Sequence, residues 1–109
     1  MKNERLSNLE YFLESEPEDP FNWYAIAIEH KSKNIAKAQE YFEHLLTHFP
    51  NYLATYYQVA ELLIDNHKKE QAEVILNKGI ELAKKQNNAN TLRELQNLLT
   101  NLLFDDFNS

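Results

Sequence analysis

The chain carries one glycine, three prolines and no cysteine in 109 residues. Glycine averages about 7% of ordinary sequences, so this shortage excludes whole classes of site. No Gly-rich loop is available to cradle a phosphate, which rules out a P-loop or a dinucleotide fingerprint. Glycine-dependent hairpin turns are missing too, which argues against a sandwich or barrel. Without cysteine there is no disulfide framework, no thiolate zinc site and no cysteine nucleophile. No apolar run approaches the roughly 18 residues of a membrane span, and Met1 to Glu10 has no apolar signal core. Basic charge is scarce as well. Eleven basic against seventeen acidic side chains give a net charge of −6, the wrong sign for a nucleic-acid partner, whose phosphates require a basic stripe. The expected setting is the cytoplasm, with neither nucleic acid nor membrane as partner.

What the chain does have is apolar residues recurring at three and four, the helical period. Leu6, Leu9, Phe12 and Leu13 predict a first helix within residues 1–15. It must stop at Glu16-Pro17-Glu18-Asp19-Pro20, because proline forbids continuation. Asp19 is a good N-cap and Pro20 a good first helical residue. The second helix carries Trp23, Ile26, Ala27 and His30, and breaks over Lys31 to Asn34. A third places Ile35, Ala38, Phe42, Leu45, Leu46 and Phe49 inward and ends at Pro50. A fourth shows Tyr56, Val59, Ala60, Leu63 and Ile64. A fifth shows Ala72, Ile75, Leu76, Gly79, Ile80 and Ala83. Thr91 and Glu94 read as a capping box for a sixth helix over 91–104, bearing Leu92, Leu95, Leu98, Leu99, Leu102, Leu103 and Phe104. Residues 105–109 read as a fraying tail. The result is an all-α chain, expected as a single domain over 1–109.

The helices repeat. Ala38 and Phe42 lie over Ala72 and Leu76 at an offset of 34 residues, and Trp23, Ile26 and Ala27 over Tyr56, Val59 and Ala60 at 33. A shorter turn near Asn34 than near His67 absorbs the difference. The pattern resembles the tetratricopeptide repeat, W-x2-L-G-x2-Y, then A-x3-F, then P. One unit (20–50) reads Trp23, Ile26-Ala27, His30, Ala38, Phe42, Pro50. The next (53–86) reads Tyr56, Val59-Ala60, Leu63, Ala72, Leu76, with Lys84 in place of the proline. Leu92, Leu95, Gln96 and Leu99 look like the front half of a third. In this respect the chain looks like the small bacterial-type members of the family. The resemblance implies a right-handed superhelical stack of antiparallel helix pairs, two such units lying between an N-terminal helix and a C-terminal capping helix.

The resemblance also implies a function. Such arrays bind a peptide or helix of another protein on a concave surface lined by the first helix of each pair. By position, that groove is Tyr24, Ile28 and Lys31, then Tyr57, Glu61 and Ile64, then Arg93 and Asn97. Tyrosine is a common interface anchor. The competing reading folds the first and last helices over these side chains. Some family members clamp a terminal carboxylate with lysine and asparagine at groove positions. Here those clamp positions hold Tyr24, Ile28, Tyr57 and Glu61, and only Arg93 and Asn97 are of the required type, which favours a partner with apolar anchors. The paired leucines Leu98-Leu99 and Leu102-Leu103, with Phe104, offer another surface, for a weak homodimer.

Chemistry is less well supported. Glu40, His44 and His48 share a helical face with metal-ligand spacing but lack the further ligand of a catalytic zinc site, so a solvated face is expected, with no metal, no cofactor and no enzyme. Residues 1–20 carry Lys2 and Arg5 against Glu4, Glu10, Glu14, Glu16, Glu18 and Asp19, which is −4 of the total −6. Solubility accounts for that excess, and steering of a basic partner is its sharper alternative.

Overall fold

The computed structural model describes the backbone of residues 4–108 and the side chains of residues 4–104. Among the described residues it holds six helices: α1 (Glu4–Ser15), α2 (Pro20–Lys31), α3 (Ile35–His48), α4 (Ala54–Asp65), α5 (Lys69–Lys85) and α6 (Ala89–Asn108). They gather into two compact units, Met1–Tyr52 and Leu53–Ser109. The boundary between them falls where the sequence joins its first repeat to its second.

In the N-terminal unit, Asp19 caps α2 by accepting a hydrogen bond from the Phe21 N–H at 3.0 Å, and Pro20 opens the helix. Asn34 caps α3 by accepting from Lys37 N–H. Ile26, Ala27, Ala38 and Leu45 are fully buried, and Phe42 nearly so, between α2 and α3. The alanines leave room for the two helices to approach, and Phe42 fills the space between them. Helix α1 has no fully buried residue. Leu6, Leu9 and Leu13 form its half-buried stripe, and polar links tie it down. The Asn22 amide donates to the carbonyls of Phe12 and Glu16. Glu29 takes Arg5 on one oxygen at 2.8 Å and Lys33 on the other at 2.6 Å.

In the C-terminal unit, α4, α5 and α6 share a core of Tyr56, Ala60, Leu62, Ala72, Leu76, Ile80, Ala83, Leu95 and Leu102. Gly79 lies at the centre of α5. A Cβ built there would stand 2.8 Å from Tyr56 Cβ and 3.1 Å from Leu95 Cδ1. The lone glycine therefore stands where α4 and α6 both lie close against α5.

Both α4 and α5 end in the same device. The Lys68 N–H bonds to the Leu63 carbonyl and the His67 N–H to that of Ile64, and Asn88 and Asn87 repeat this with Ala83 and Lys84. This is the Schellman geometry, which requires a left-handed residue after the cap. His67 (φ 60°) and Asn87 (φ 56°) hold that conformation. Asparagine tolerates it, whereas histidine is held there against its preference. His67→Gly is expected to raise stability by about 0.5–1 kcal/mol, the relief of strain exceeding the entropy of the freer unfolded chain. A thermal melt checks this, and a lowered midpoint contradicts it.

Several sequence expectations need correction. Helix α6 begins at Ala89 with Asn88 accepting from the Thr91 N–H, so the Thr91–Glu94 capping box is not used. Asparagine caps at least as well as threonine and stands earlier in the chain. The helix also runs through Asn108, because nothing in Asp105-Asp106-Phe107 breaks a helix; residue 109, the last of the expected tail, lies outside the described residues. Ile35 is 47% exposed rather than inward. It is the first residue of α3, and its side chain leans back over the turn instead of onto α2. Phe12, off the leucine stripe of α1, is also exposed, and Leu62 joins the core unforeseen.

Candidate functional site

The N-terminal unit presents Tyr24, Ile28 and Lys31 on α2, all half-buried. Tyr24 is not a free anchor. Its ring lies edge-on to Phe42 at 6.3 Å and tilts against Tyr52 at 5.6 Å. Tyr52 stands in the link after α3, and the sequence reading gave it no part. Burial, with Tyr24 and Asp19 nearby, pushes its phenol above the ordinary tyrosine value. The Phe42 and Tyr52 rings thus flank Tyr24, which packs on α3 through Phe42.

Elsewhere in this unit Trp23 and its neighbours form a run of stacked rings. The Trp23 indole donates to the Pro17 carbonyl at 2.7 Å, which fixes the corner between α1 and α2. His44 stacks on the indole at 3.5 Å, nearly parallel, and His48 lies against His44 at 4.4 Å. His30 and Tyr41 stack alongside, both half-buried or deeper. So His44 is a packing residue rather than part of a solvated face. The Glu40, His44, His48 set does not converge on a point, and among the described residues no group of three or more histidine and acidic side chains is arranged to hold a metal ion.

Burial, with His48 beside it, holds the His44 imidazole below its ordinary value. The unfolded chain takes up that proton near pH about 6.5, and the folded chain only at lower pH. The stability tied to neutral His44 is therefore complete above about pH 6.5 and declines as pH falls through the folded value. Trp23, the single tryptophan, should report the event, because an imidazolium stacked on an indole quenches its emission. Fluorescence is expected to drop on acidification with a midpoint below about 6.5 and to lose that step in His44→Gln. A midpoint at or above that value contradicts the assignment.

In the C-terminal unit, Tyr57, Glu61 and Ile64 lie along α4 and are half-buried, while Arg93 and Asn97 on α6 are exposed. The Arg93 guanidinium donates to Asn90 at 3.3 Å. Burial raises the Tyr57 phenol above its ordinary value, and the carboxylates of Glu61 on α4 and Glu94 on α6 push it the same way. Glu94 thus belongs to this face, a role concealed by its reading as a capping residue. The phase of the α6 leucines was the available signal, since Leu95 buried inward turns Glu94 towards one side of the helix.

The leucine-rich end of α6 is divided. Leu102 is only 9% exposed and belongs to the core, Leu98 and Leu99 are half-buried, and Leu103 (42%) and Phe104 (65%) face water. The surface first assigned to self-association is therefore reduced, because Leu102 is committed to the fold. Open depressions lie at the helix turns. One of about 330 Å³ is lined by Pro20, His48, Phe49, Pro50, Asn51 and Tyr52, and one of about 320 Å³ lies between Ala83 and Leu92.

Comparison with known proteins agrees with this geometry. The profile of the tetratricopeptide repeat matches residues 29–95. The chain is 36% identical to a tetratricopeptide repeat domain protein from Salinibacter ruber, known from a solution structure, over 79% of this chain and 88% of that one, with a TM-score of 0.74. A crystal structure of a tetratricopeptide repeat domain protein from the same organism matches at 34% identity, over 77% and 96% of the two chains, with a TM-score of 0.73. A protein from Bordetella parapertussis, 17% identical, shares the fold over 97% of this chain and 92% of its own at a TM-score of 0.80. No curated protein matches the chain.

Proposed function

We propose a protein-binding function from the premise that this chain belongs to the tetratricopeptide repeat family. Members of the family are in general protein–protein interaction modules and non-catalytic scaffolds, and no helix among the described residues is long and apolar enough to cross a membrane. The finer reading is that the first-helix faces bind a peptide or helix of a partner. In the C-terminal unit that face is Tyr57, Glu61, Ile64, Arg93 and Asn97, and in the N-terminal unit it is Tyr24, Ile28 and Lys31. The observation that carries the reading is Tyr57, a half-buried tyrosine on a face that also offers Ile64 and the exposed polar groups of α6. An aromatic with restricted freedom and a reachable edge has the properties of an interface anchor.

Tyr57→Ala tests it. The variant is expected to keep wild-type helicity and to lose partner binding by about 2 kcal/mol, roughly thirtyfold. Capture of co-purifying proteins by wild type and variant is the measurement, and equal capture rejects the groove. Tyr24→Ala is the weaker probe, since that ring also packs on Phe42 and Tyr52.

A second reading, a weak homodimer through α6, rests on the exposure of Leu103 and Phe104. It expects a mass in light scattering that rises with concentration in the wild type and stays monomeric in Leu103→Glu/Phe104→Glu.

A further inference from the structure

His44 and His48 stand one turn apart on α3, with their ring centres 4.4 Å apart and their planes tilted by 35°. His44 stacks on Trp23 through a ring face, whereas a metal is bound through the lone pair of a nitrogen at the ring edge. Those edges are open. Neither imidazole makes a hydrogen bond among the described residues, and the nitrogens of the half-buried His44 are not sealed from water. The indole beneath His44 is anchored by its bond to the Pro17 carbonyl, so this ring rests on a fixed surface. A cation that takes two imidazoles at about 2.0–2.1 Å and a right angle holds their centres roughly 4.5 Å apart. The pair already stands at that separation. The surroundings favour positive charge as well. His48 is the last residue of α3, where the helix dipole places partial negative charge, and Glu40 and Glu43 are exposed on the same helix. The open depression of about 330 Å³ beside His48 leaves room for coordinated water.

We infer that His44 and His48 form a two-imidazole chelate for a divalent transition-metal ion, Cu²⁺ ahead of Zn²⁺. No third histidine or acidic side chain joins them among the described residues. That excludes a closed zinc site and leaves the remaining coordination positions to water. Two nitrogens completed by water suit the tetragonal preference of Cu²⁺, which also stands highest in the affinity order of the divalent series. The site is independent of the binding faces on α2 and α4, and its failure would leave the protein-binding reading standing.

The test titrates the full chain, without an affinity tag and in a buffer that does not bind metal, with CuCl₂ alone. Trp23 is the single tryptophan, and paramagnetic Cu²⁺ on the ring stacked against it at 3.5 Å should quench its emission, saturating at one equivalent. His48→Gln, at an exposed position, should keep the fold and weaken binding by about tenfold or more. Glu40→Gln, and His67→Asn on the C-terminal unit, should leave it unchanged. Zn²⁺, which does not quench, should compete for the site and raise the thermal midpoint of the wild type but not of His48→Gln. Quenching that persists at the wild-type midpoint in His48→Gln, or that never saturates, overturns the chelate as loose surface binding. Quenching lost in Glu40→Gln overturns it in favour of another ligand set. A wild type that neither quenches with Cu²⁺ nor shifts its melt with Zn²⁺ has no such site.

Discussion

Gly79→Ala should destabilise the protein by about 1–2 kcal/mol, although alanine is the better helix former by about 1 kcal/mol. The added methyl decides the sign. It would lie 2.8 Å from Tyr56 Cβ, closer than real Cβ atoms come, and 3.1 Å from Leu95 Cδ1. The leucine terminus can turn aside. Tyr56 Cβ cannot, because it is bonded to the backbone of α4, so the helix must move, at an overpacking cost of typically 1–3 kcal/mol. For a domain near this size the midpoint of a thermal melt should fall by roughly 5–10 °C. Leu95→Ala in the same background should recover little, since it removes the softer of the two contacts. An unchanged or higher melting temperature would show that α4 shifts freely and that helix propensity governs the site.

The repeat explains why this position differs between the units. At the 34-residue offset, Gly79 corresponds to Leu45, which is fully buried. In the N-terminal unit the aromatic of α2, Trp23, is half-buried and turned to stack on His44, and the leucine is accommodated. In the C-terminal unit the corresponding aromatic, Tyr56, is 7% exposed and occupies the space next to α5. One repeat position therefore accepts leucine or glycine according to how its neighbouring aromatic is turned.

That contrast shows how far sequence reasoning reaches. Helix ends written in local chemistry were legible: Asp19 and Pro20 open α2 as their preferences require, and the alanines at 27, 38, 60 and 72, read as packing positions, are all fully buried. What escaped depended on competition or on three dimensions. Asn88 and Thr91 are both good caps, and only the structure shows that the earlier one is used. Leu102 and Leu103 are adjacent and equally apolar, yet one is core and the other exposed, because a helix turns through more than a quarter circle per residue. The site was legible as positions on first helices, which repeat spacing supplies. Its ring partners were not, since Tyr52 lies in a link with no periodicity and His44 reads as a surface residue until Trp23 is seen lying on it.

Phe42→Ala should be the most damaging single truncation in the N-terminal unit, at about 3–5 kcal/mol. The ring is 1% exposed and is the largest fully buried side chain among the described residues. Its loss removes the transfer free energy of an aromatic and leaves a cavity that flanking helices only partly close. Phe42→Leu, the residue type at the equivalent position, Leu76, should recover more than half of the loss. Chemical denaturation gives the free energies, and hydrogen exchange should show α2 and α3 losing protection first. The change also reaches the candidate binding surface. Phe42 is one wall of the Tyr24 ring, so its removal frees Tyr24 to rotate towards Tyr52 or solvent. A ligand using that tyrosine would then bear the entropy of fixing it again, about 0.5–1.5 kcal/mol for one side chain. Binding measured under conditions where Phe42→Ala remains folded should therefore weaken several-fold if Tyr24 contributes, and remain unchanged if Tyr24 serves the fold alone.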